Sequence, residues 1–326
     1  MTVCLGIEST AHTFAAAIVT SKNKVLSDVR ANYTTDKGGI IPKDAAQHHK
    51  NVYKDVIQKA ILDAKINSSD IDLIAYSRGP GLSPSLHVGL NAVKELVNDL
   101  NVPITGVNHS LSHLTVAKLF FDLKNPVYVY VSGPNTQILS LEGNRFRVLG
   151  ECLSIGLGNA LDKFARALDL GFPGGPKIEL LAKGGSFIEL PYVVKGMDIE
   201  LSGIITKAIE LYKKGGKKED LCYSLQETMF AMLTEVSERA LAHTQKDELV
   251  LVGGVAANKR LCNMLDIMCK ERNAKFYAVP IKYSGDQAVQ IAFQGLLQFK
   301  VNNTIPKEKL DINPLWRTDE VEVDFL

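Results

Sequence analysis

The sequence predicts a duplicated α/β architecture, and three observations carry the prediction. A three-strand meander opens the chain, and the same pattern returns past the Asn125-Pro126 break. Each copy then continues with a helix and an apolar strand that runs into glycines and opens another helix, which is the alternation of α/β folds. At 326 residues, and roughly 150 residues per domain, there is room for two domains that each bury a core.

In the first copy the apolar run Val3 to Ile7, the turn Glu8 to Thr13, the run Phe14 to Val19, the turn Ser21 to Lys24 and a run from Val25 make the meander. A helix over 44–65, the strand Asp72 to Ser77, the turn Gly79-Pro80-Gly81 and a helix over 84–100 follow. The second meander is Val127 to Val131, a turn at Ser132 to Asn135, Thr136 to Leu141, the turn Glu142-Gly143-Asn144 and Arg145 to Leu149. A long amphipathic helix from Tyr223 to His243, the strand Glu248 to Val252, Gly253-Gly254 and a helix Asn258 to Arg272 complete it. Meander plus crossover, twice, describes a duplicated ribonuclease-H-like fold with a cleft between the halves. The expected first lobe is 1–122, completed by a C-terminal helix 286–326; the second is 126–285 and carries nucleotide-binding turns. Tight Gly and Ser turns leave backbone N–H groups without strand partners, so Glu8 to Thr13 and Ser132 to Asn135 suit phosphate oxygens.

Composition narrows the function. With 37 Lys and Arg against 36 Asp and Glu the formal charge is +1, and 46% hydrophobic with 22% charged residues is ordinary globular usage. Bulk electrostatic binding to nucleic acid is thereby disfavoured, leaving local contacts; Lys213-Lys214-Gly215-Gly216-Lys217-Lys218 is the densest positive patch and reads as a solvated linker. Cys4, Cys152, Cys222, Cys262 and Cys269 never form Cys-x-x-Cys, against a disulfide framework or thiolate zinc site. No leader pattern and no apolar run of the ~18 residues a bilayer needs are present, so the expectation is a soluble cytoplasmic protein with no membrane role.

His109 and His113 are four apart, which on a helix puts both imidazoles on one face where they can grip one metal. Packing or surface chance is more often the reason for such a pair, and the Glu of a zinc protease does not follow His109. A third ligand must come from elsewhere: Tyr130, Asp286 and Glu8 are the candidates, against ordinary roles as strand aromatic, helix cap and turn acid. Oxygen donors beside two imidazoles fit zinc or iron better than magnesium. Asp162 and Arg166 form an i,i+4 pair, and Glu179 follows Gly174-Gly175-Pro176-Lys177 at the start of another helix. Ion pairing accounts for them; alternatively Asp162 and Glu179 accept from ribose hydroxyls while Gly175 leaves room for a nucleoside. His12, His48 and His49 show no pattern.

Taken together, GIESTAHTFAAAIV (6–19), GGIIPKDAAQHH (38–49), YSRGPGLSPSLHVG (76–89), GVNHSLSHL (106–114), YVSGPNTQ (130–137), GNALDKFAR (158–166), FPGGPKIE (172–179), LPYVVKGMD (190–198), DLCYSLQETMFAML (220–233), VGGVAANKRL (252–261) and WRTDEVEV (316–323) resemble the universal tRNA threonylcarbamoyladenosine synthase family. The similarity is to its archaeal and eukaryotic branch, the catalytic subunit of the KEOPS complex, formerly called O-sialoglycoprotein endopeptidase. The resemblance implies an actin- and hexokinase-like ATPase fold that holds threonylcarbamoyl-AMP, or ATP or AMP, in its cleft. It implies transfer of threonylcarbamoyl to N6 of the adenosine next to the anticodon in tRNAs reading A-starting codons. By position, His109, His113, Tyr130 and Asp286 would be ligands of one Fe or Zn ion. Tyr130, Val131, Ser132, Gly133, Pro134, Asp162, Gly175, Glu179 and Asn258 would fall where the family contacts nucleotide. Implied partners are tRNA, a small atypical protein kinase that is sometimes fused C-terminally, a small dimerising subunit and a kinase-binding subunit.

The chain departs from the family pattern in places. Pro134 stands where a second glycine is usual and removes a backbone donor. Ser154 replaces a common acid, Gln287-Ala288 replaces Asn-Gly after Asp286, and Arg78, Ser83 and His87 vary the glycine-rich loop. Rival readings are a small-molecule kinase of the same fold superfamily, a catalytically weak scaffold subunit, and the old metalloprotease.

Overall fold

The computed structural model describes residues 1–35 and 40–326, so the Gly38-Gly39 opening of the 38–49 motif lies outside the described residues. The chain divides into two compact units, Met1–Phe120 with Asp286–Leu326, and Phe121–Gly285.

Unit 1 begins with the meander β1 (Val3–Glu8), β2 (Thr13–Thr20) and β3 (Val25–Asn32). It continues through α1 (Pro42–Ala64), β4 (Leu73–Gly79), α2 (Ser83–Leu100), β5 (Ile104–Asn108) and the short α3 (His109–Thr115). The sheet order is β3-β2-β1-β4-β5, antiparallel within the meander and parallel from β1 to β4 to β5. β1 and β2 are buried along their whole length, as central strands covered on both faces must be. β5 was not foreseen: five residues that include Gly106 and follow Pro103 carry too little periodicity.

Unit 2 repeats the plan. Its strands are β6 (Val127–Val131), β7 (Thr136–Glu142) and β8 (Arg145–Glu151), followed by α4 (Leu157–Ala167) and α5 (Gly174–Ala182). A two-residue pairing of β9 (Val194–Lys195) with β10 (Asp198–Ile199) precedes α6 (Ser202–Lys213) and α7 (Lys218–Thr244). β11 (Glu248–Val252), α8 (Lys259–Glu271) and β12 (Lys275–Ala278) close the unit. The order β12-β11-β6-β7-β8 is the mirror listing of unit 1, with β6 and β11 parallel and the meander antiparallel. α7 supplies Leu225, Met229, Leu233 and Val236 to a core shared with α4, α5 and α6.

The chain then returns to unit 1 as α9 (Ala288–Lys300). The helix expected over 286–326 is confined to this stretch; beyond it Asn302 adopts a left-handed φ of 59° and the tail runs as turns past Pro306 and Pro314. Side chains of β1 alternate, so Val3, Leu5 and Ile7 join α1 and α2 in one core while Gly6 faces the other way. There α9 lies directly on the sheet: a Cβ at Gly6 would stand 2.4 Å from the Ala288 carbonyl oxygen and 2.6 Å from the Ala292 nitrogen. The missing side chain is what lets the first turn of α9 reach the end of β1. All five cysteines are free, and among the described residues no helix is long and apolar enough to cross a membrane.

Candidate metal centre

The centre lies at the carboxyl ends of the parallel strands of unit 1, where open α/β sheets generally place their ligands. β5 ends at Asn108, whose side-chain oxygen accepts from the Leu111 N–H at 2.9 Å and so caps α3. Its amide nitrogen donates to the Trp316 carbonyl at 3.1 Å, tying the cap to the C-terminal tail. The helix thus starts at His109, and His113 follows one turn later on the same face. Their Nε2 atoms are 3.3 Å apart and their rings cross at 85°.

Asp286 reaches the same point from the start of α9. Its Oδ1 is 3.5 Å from His109 Nε2 and 3.4 Å from His113 Nε2, and the three donor atoms lie within 4.8 Å of one another. Asp286 is not the cap of α9; Gln287 is, its side-chain oxygen accepting from the Gln290 N–H at 3.0 Å. Glu8, also weighed as a ligand, is turned to the opposite side of the imidazole. Its Oε2 is 2.9 Å from His109 Nδ1, and its Oε1 accepts from the Thr10 N–H at 2.7 Å and from the Thr10 hydroxyl. A fully buried carboxylate on Nδ1 makes that nitrogen the N–H donor and aims Nε2 at Asp286.

This arrangement bears on the turn Glu8 to Thr13, whose N–H groups were expected to suit phosphate oxygens. The Ser9 N–H donates to the Ser77 hydroxyl at 3.0 Å and that of Thr10 to Glu8, so two of the turn's donors are already bound. The turn does contribute His12, whose Nδ1 is 3.9 Å from Asp286 Oδ2; sequence reasoning passed over it because only the folded turn brings it there.

Electrostatics separate the two imidazoles. Burial alone would lower His109, but the Glu8 and Asp286 carboxylates hold it well above its ordinary range. His113 is lowered, chiefly by burial, with Asp286 opposing and the charge on His109 adding to it. Burial opposes the ionisation of Asp286, yet its hydrogen bonds to both histidines hold the carboxyl well below the usual range. Two imidazole nitrogens and an ionised carboxylate oxygen form a donor set suited to zinc or iron.

The remaining expected residues belong to unit 2. Tyr130 and Val131 end β6 and are buried. Ser132, Gly133 and Pro134 form the next turn, closed by the Ser132 N–H donating to the Asn135 carbonyl at 2.8 Å and by the Asn135 N–H donating to the Ser132 hydroxyl at 3.1 Å. α5 begins at Gly174, so Glu179 sits well along the helix rather than at its start; Asp162 Oδ1 accepts from the Gly174 N–H at 2.7 Å. Burial raises the Asp162 carboxyl. Glu179 Oε1 accepts from the Lys259 N–H at 2.9 Å, and Asn258 caps the same helix, α8, by accepting from the Arg260 and Leu261 N–H groups. Asp162, Glu179 and Asn258 are therefore linked through two helix starts. A Cβ at Gly175 would meet nothing nearer than Leu161 Cδ1 at 3.8 Å, so packing does not demand glycine there. Ser154 donates to Glu200.

Comparison with known proteins bears on both units. The model of the family TsaD, tRNA N6-adenosine threonylcarbamoyltransferase, matches residues 24–293. The tRNA N6-adenosine threonylcarbamoyltransferase of Thermococcus sibiricus is 53% identical, covering 99% of this chain and 100% of the relative; that of Thermococcus kodakarensis is 52% identical over 98% and 99%. A probable bifunctional tRNA threonylcarbamoyladenosine biosynthesis protein of Methanosarcina barkeri is 49% identical, and this chain spans 60% of its length. Among solved structures, HypF of T. kodakarensis aligns with TM-score 0.64 at 16% identity, over 94% of this chain and 48% of that one. The (R)-2-hydroxyglutaryl-CoA dehydratase component A of Acidaminococcus fermentans gives 0.58 at 13%, over 91% and 98%. These distant likenesses support the duplicated ATPase-like fold alone. The sequence matches carry more: this chain belongs to the TsaD family of tRNA N6-adenosine threonylcarbamoyltransferases.

Proposed function

We propose that the chain transfers the threonylcarbamoyl group of threonylcarbamoyl-AMP to N6 of the adenosine next to the anticodon in tRNAs that read A-starting codons, with a metal held by His109, His113 and Asp286. The observation that carries the metal assignment is the convergence of three donor atoms within 4.8 Å, one imidazole being fixed from behind by buried Glu8. Zinc or iron bound there would supply a Lewis acid for the carbonyl and for charge on the departing phosphate. The resemblance adds Tyr130 to the ligands and assigns nucleotide contact to Val131, Ser132, Gly133, Pro134, Asp162, Gly175, Glu179 and Asn258. The room left at Gly175 and the local linkage of Asp162, Glu179 and Asn258 support that assignment.

In the transfer, the N6 lone pair attacks the carbamoyl carbon, the bond from that carbon to the phosphate oxygen breaks, AMP leaves and N6 gives up a proton. What the chain supplies is placement: Glu8 and the cap on α3 fix the imidazoles, and the packing of α9 on Gly6 fixes Asp286. Partners of the same reading are tRNA and the KEOPS subunits, among them a small atypical kinase; relatives named bifunctional that exceed this chain in length are consistent with a fused partner.

The test is incorporation of labelled threonine into tRNA with the adenylate-forming enzyme supplied, comparing wild type, His109→Ala and Asp286→Ala. Loss of at least ~100-fold in both variants is expected; equal labelling in all three would remove the assignment. Phosphorylation of a small acceptor from labelled ATP, without labelling of tRNA, would favour the kinase reading instead.

A further inference from the structure

Between them α3 and α9 place all three ligand side chains: His109 and His113 lie in α3, and Asp286 stands just before α9. Every residue of α3 is buried, and so is α9 from Ala288 to Leu296. Helices buried on all sides have no solvent-facing stripe to set how they sit on a neighbour, and the hydrophobic effect that buries them is non-directional. The centre, however, needs one register. Sliding α3 by a single residue, about 1.5 Å along its axis, would displace both imidazoles against Asp286 Oδ1, which lies 3.5 Å from His109 Nε2 and 3.4 Å from His113 Nε2.

A polar pair crosses from α3 to α9 beyond the ligands. The hydroxyl of Thr115, the last residue of α3, donates to Gln294 Oε1 at 3.2 Å, and both side chains are fully buried. The same hydroxyl lies 3.3 Å from the Ser112 carbonyl, but that contact is internal to α3 and fixes nothing about its register. A valine facing a methionine would fill the same space without polar groups to desolvate, and a buried hydrogen bond adds little net stability over such packing. What the bond adds is direction, as a single buried polar residue fixes register in a coiled coil. We infer that Thr115 and Gln294 are positioning residues that set the register of α3 on α9 and so hold the two imidazoles opposite Asp286. The bond from Asn108 to the Trp316 carbonyl secures the other end of the helix, so C-terminal residues pin α3 at both ends. The inference rests on the metal reading of the centre.

The test measures the Zn2+ affinity of the full chain against a chromophoric chelator, alongside its urea midpoint. In the double variant Thr115→Val with Gln294→Met an apolar pair of similar shape replaces the polar one, so the midpoint should hold or rise. Zn2+ affinity should nevertheless fall about fivefold, the factor equivalent to a net hydrogen bond of about 1 kcal/mol, which is the most this bond can bias one register over others. Thr115→Ser gives the converse. It keeps the hydroxyl and loses a buried methyl group, so its midpoint should drop while its Zn2+ affinity stays at the wild-type value. A merely structural role would move affinity with stability or not at all. Wild-type affinity in the double variant, or a loss in Thr115→Ser as large as in the double variant, with binding abolished in His113→Ala, overturns the positioning role alone. Equal binding by wild type and His113→Ala overturns the metal assignment and this inference with it.

Discussion

In unit 1 the turn after β1 commits its backbone to side chains: Ser9 and Thr10 N–H groups are held by Ser77 and Glu8, and Glu8 reaches on to His109. The corresponding turn of unit 2, after β6, is committed to a helix. Gly158 and Asn159 at the start of α4 donate to the Ser132 and Gly133 carbonyls at 3.0 Å, and a Cβ at Gly158 would lie 2.6 Å from the Ser132 oxygen. Six of the seven histidines also lie in unit 1, only His243 falling in unit 2. One strand order thus presents two sets of groups, because what differs is the side chains at the strand ends, not the sheet. Buried carboxylates and imidazoles suit a cation; glycine and backbone suit close approach of a neutral or anionic group.

The sharpest way to break this contrast is to crowd each unit where only glycine fits. Gly6→Ala, which forces α9 off the sheet, should cost about 3 kcal/mol or more of stability and also abolish metal binding, since Asp286 moves with the helix. Gly158→Ala should cost a similar amount but leave the metal affinity of the folded protein unchanged. Urea unfolding and metal titration of both variants would show it; loss of metal in the Gly158 variant would mean that the units do not divide the chemistry as described.

Acid should distinguish the units next. His49 is fully buried, edge-on to Phe14, and burial, reinforced by His48, lowers it from 6.5 to about 4. Its folded value lies below its unfolded one, so the unfolded chain binds the extra proton. The stability contribution is complete above pH 6.5 and declines as pH falls from there towards 4, by about 3 kcal/mol in all. Hydrogen exchange at pH 7 and 5 should show α1 losing protection over that window more than α7, and His49→Gln should flatten the difference. Equal loss in both helices would refute it.

Two smaller effects separate orienting from ligating. Glu8→Ala should weaken metal binding 10–100-fold without abolishing it, the usual effect of removing a group that orients a ligand. Asn108→Ser keeps a capping oxygen for α3 but loses the donor to Trp316, so it should cost about 1 kcal/mol, whereas Asn108→Ala loses both interactions and should cost more. Denaturation midpoints would rank the pair; equal effects would show that the tie to the tail contributes nothing.

Much of this was legible in the sequence, for reasons that differ by element. β11 was read at its observed bounds because Glu248 to Val252 is an apolar run closed by glycines. That His109 and His113 share a face was legible because residues four apart on a helix lie one above the other, although the spacing by itself did not make them ligands. Asp286 came from its place at a helix start and from the family resemblance, and the local signal misled: an acid before an apolar helix reads as its cap, but glutamine, an unusual cap, took that place and freed the carboxylate. The Glu8 contact with the far side of His109, the approach of His12 and the Thr115–Gln294 bond were not legible. Each joins residues remote in sequence, and no periodicity records that.

The central claim is that one cation binds within unit 1 through His109, His113 and Asp286. Metal content of the full chain after reconstitution with Zn2+ or Fe2+, measured for wild type and for alanine at each of the three positions, tests it most directly. The account predicts about one equivalent in the wild type and near-complete loss in every folded variant; a wild type that retains no metal, or variants that retain as much, would contradict it.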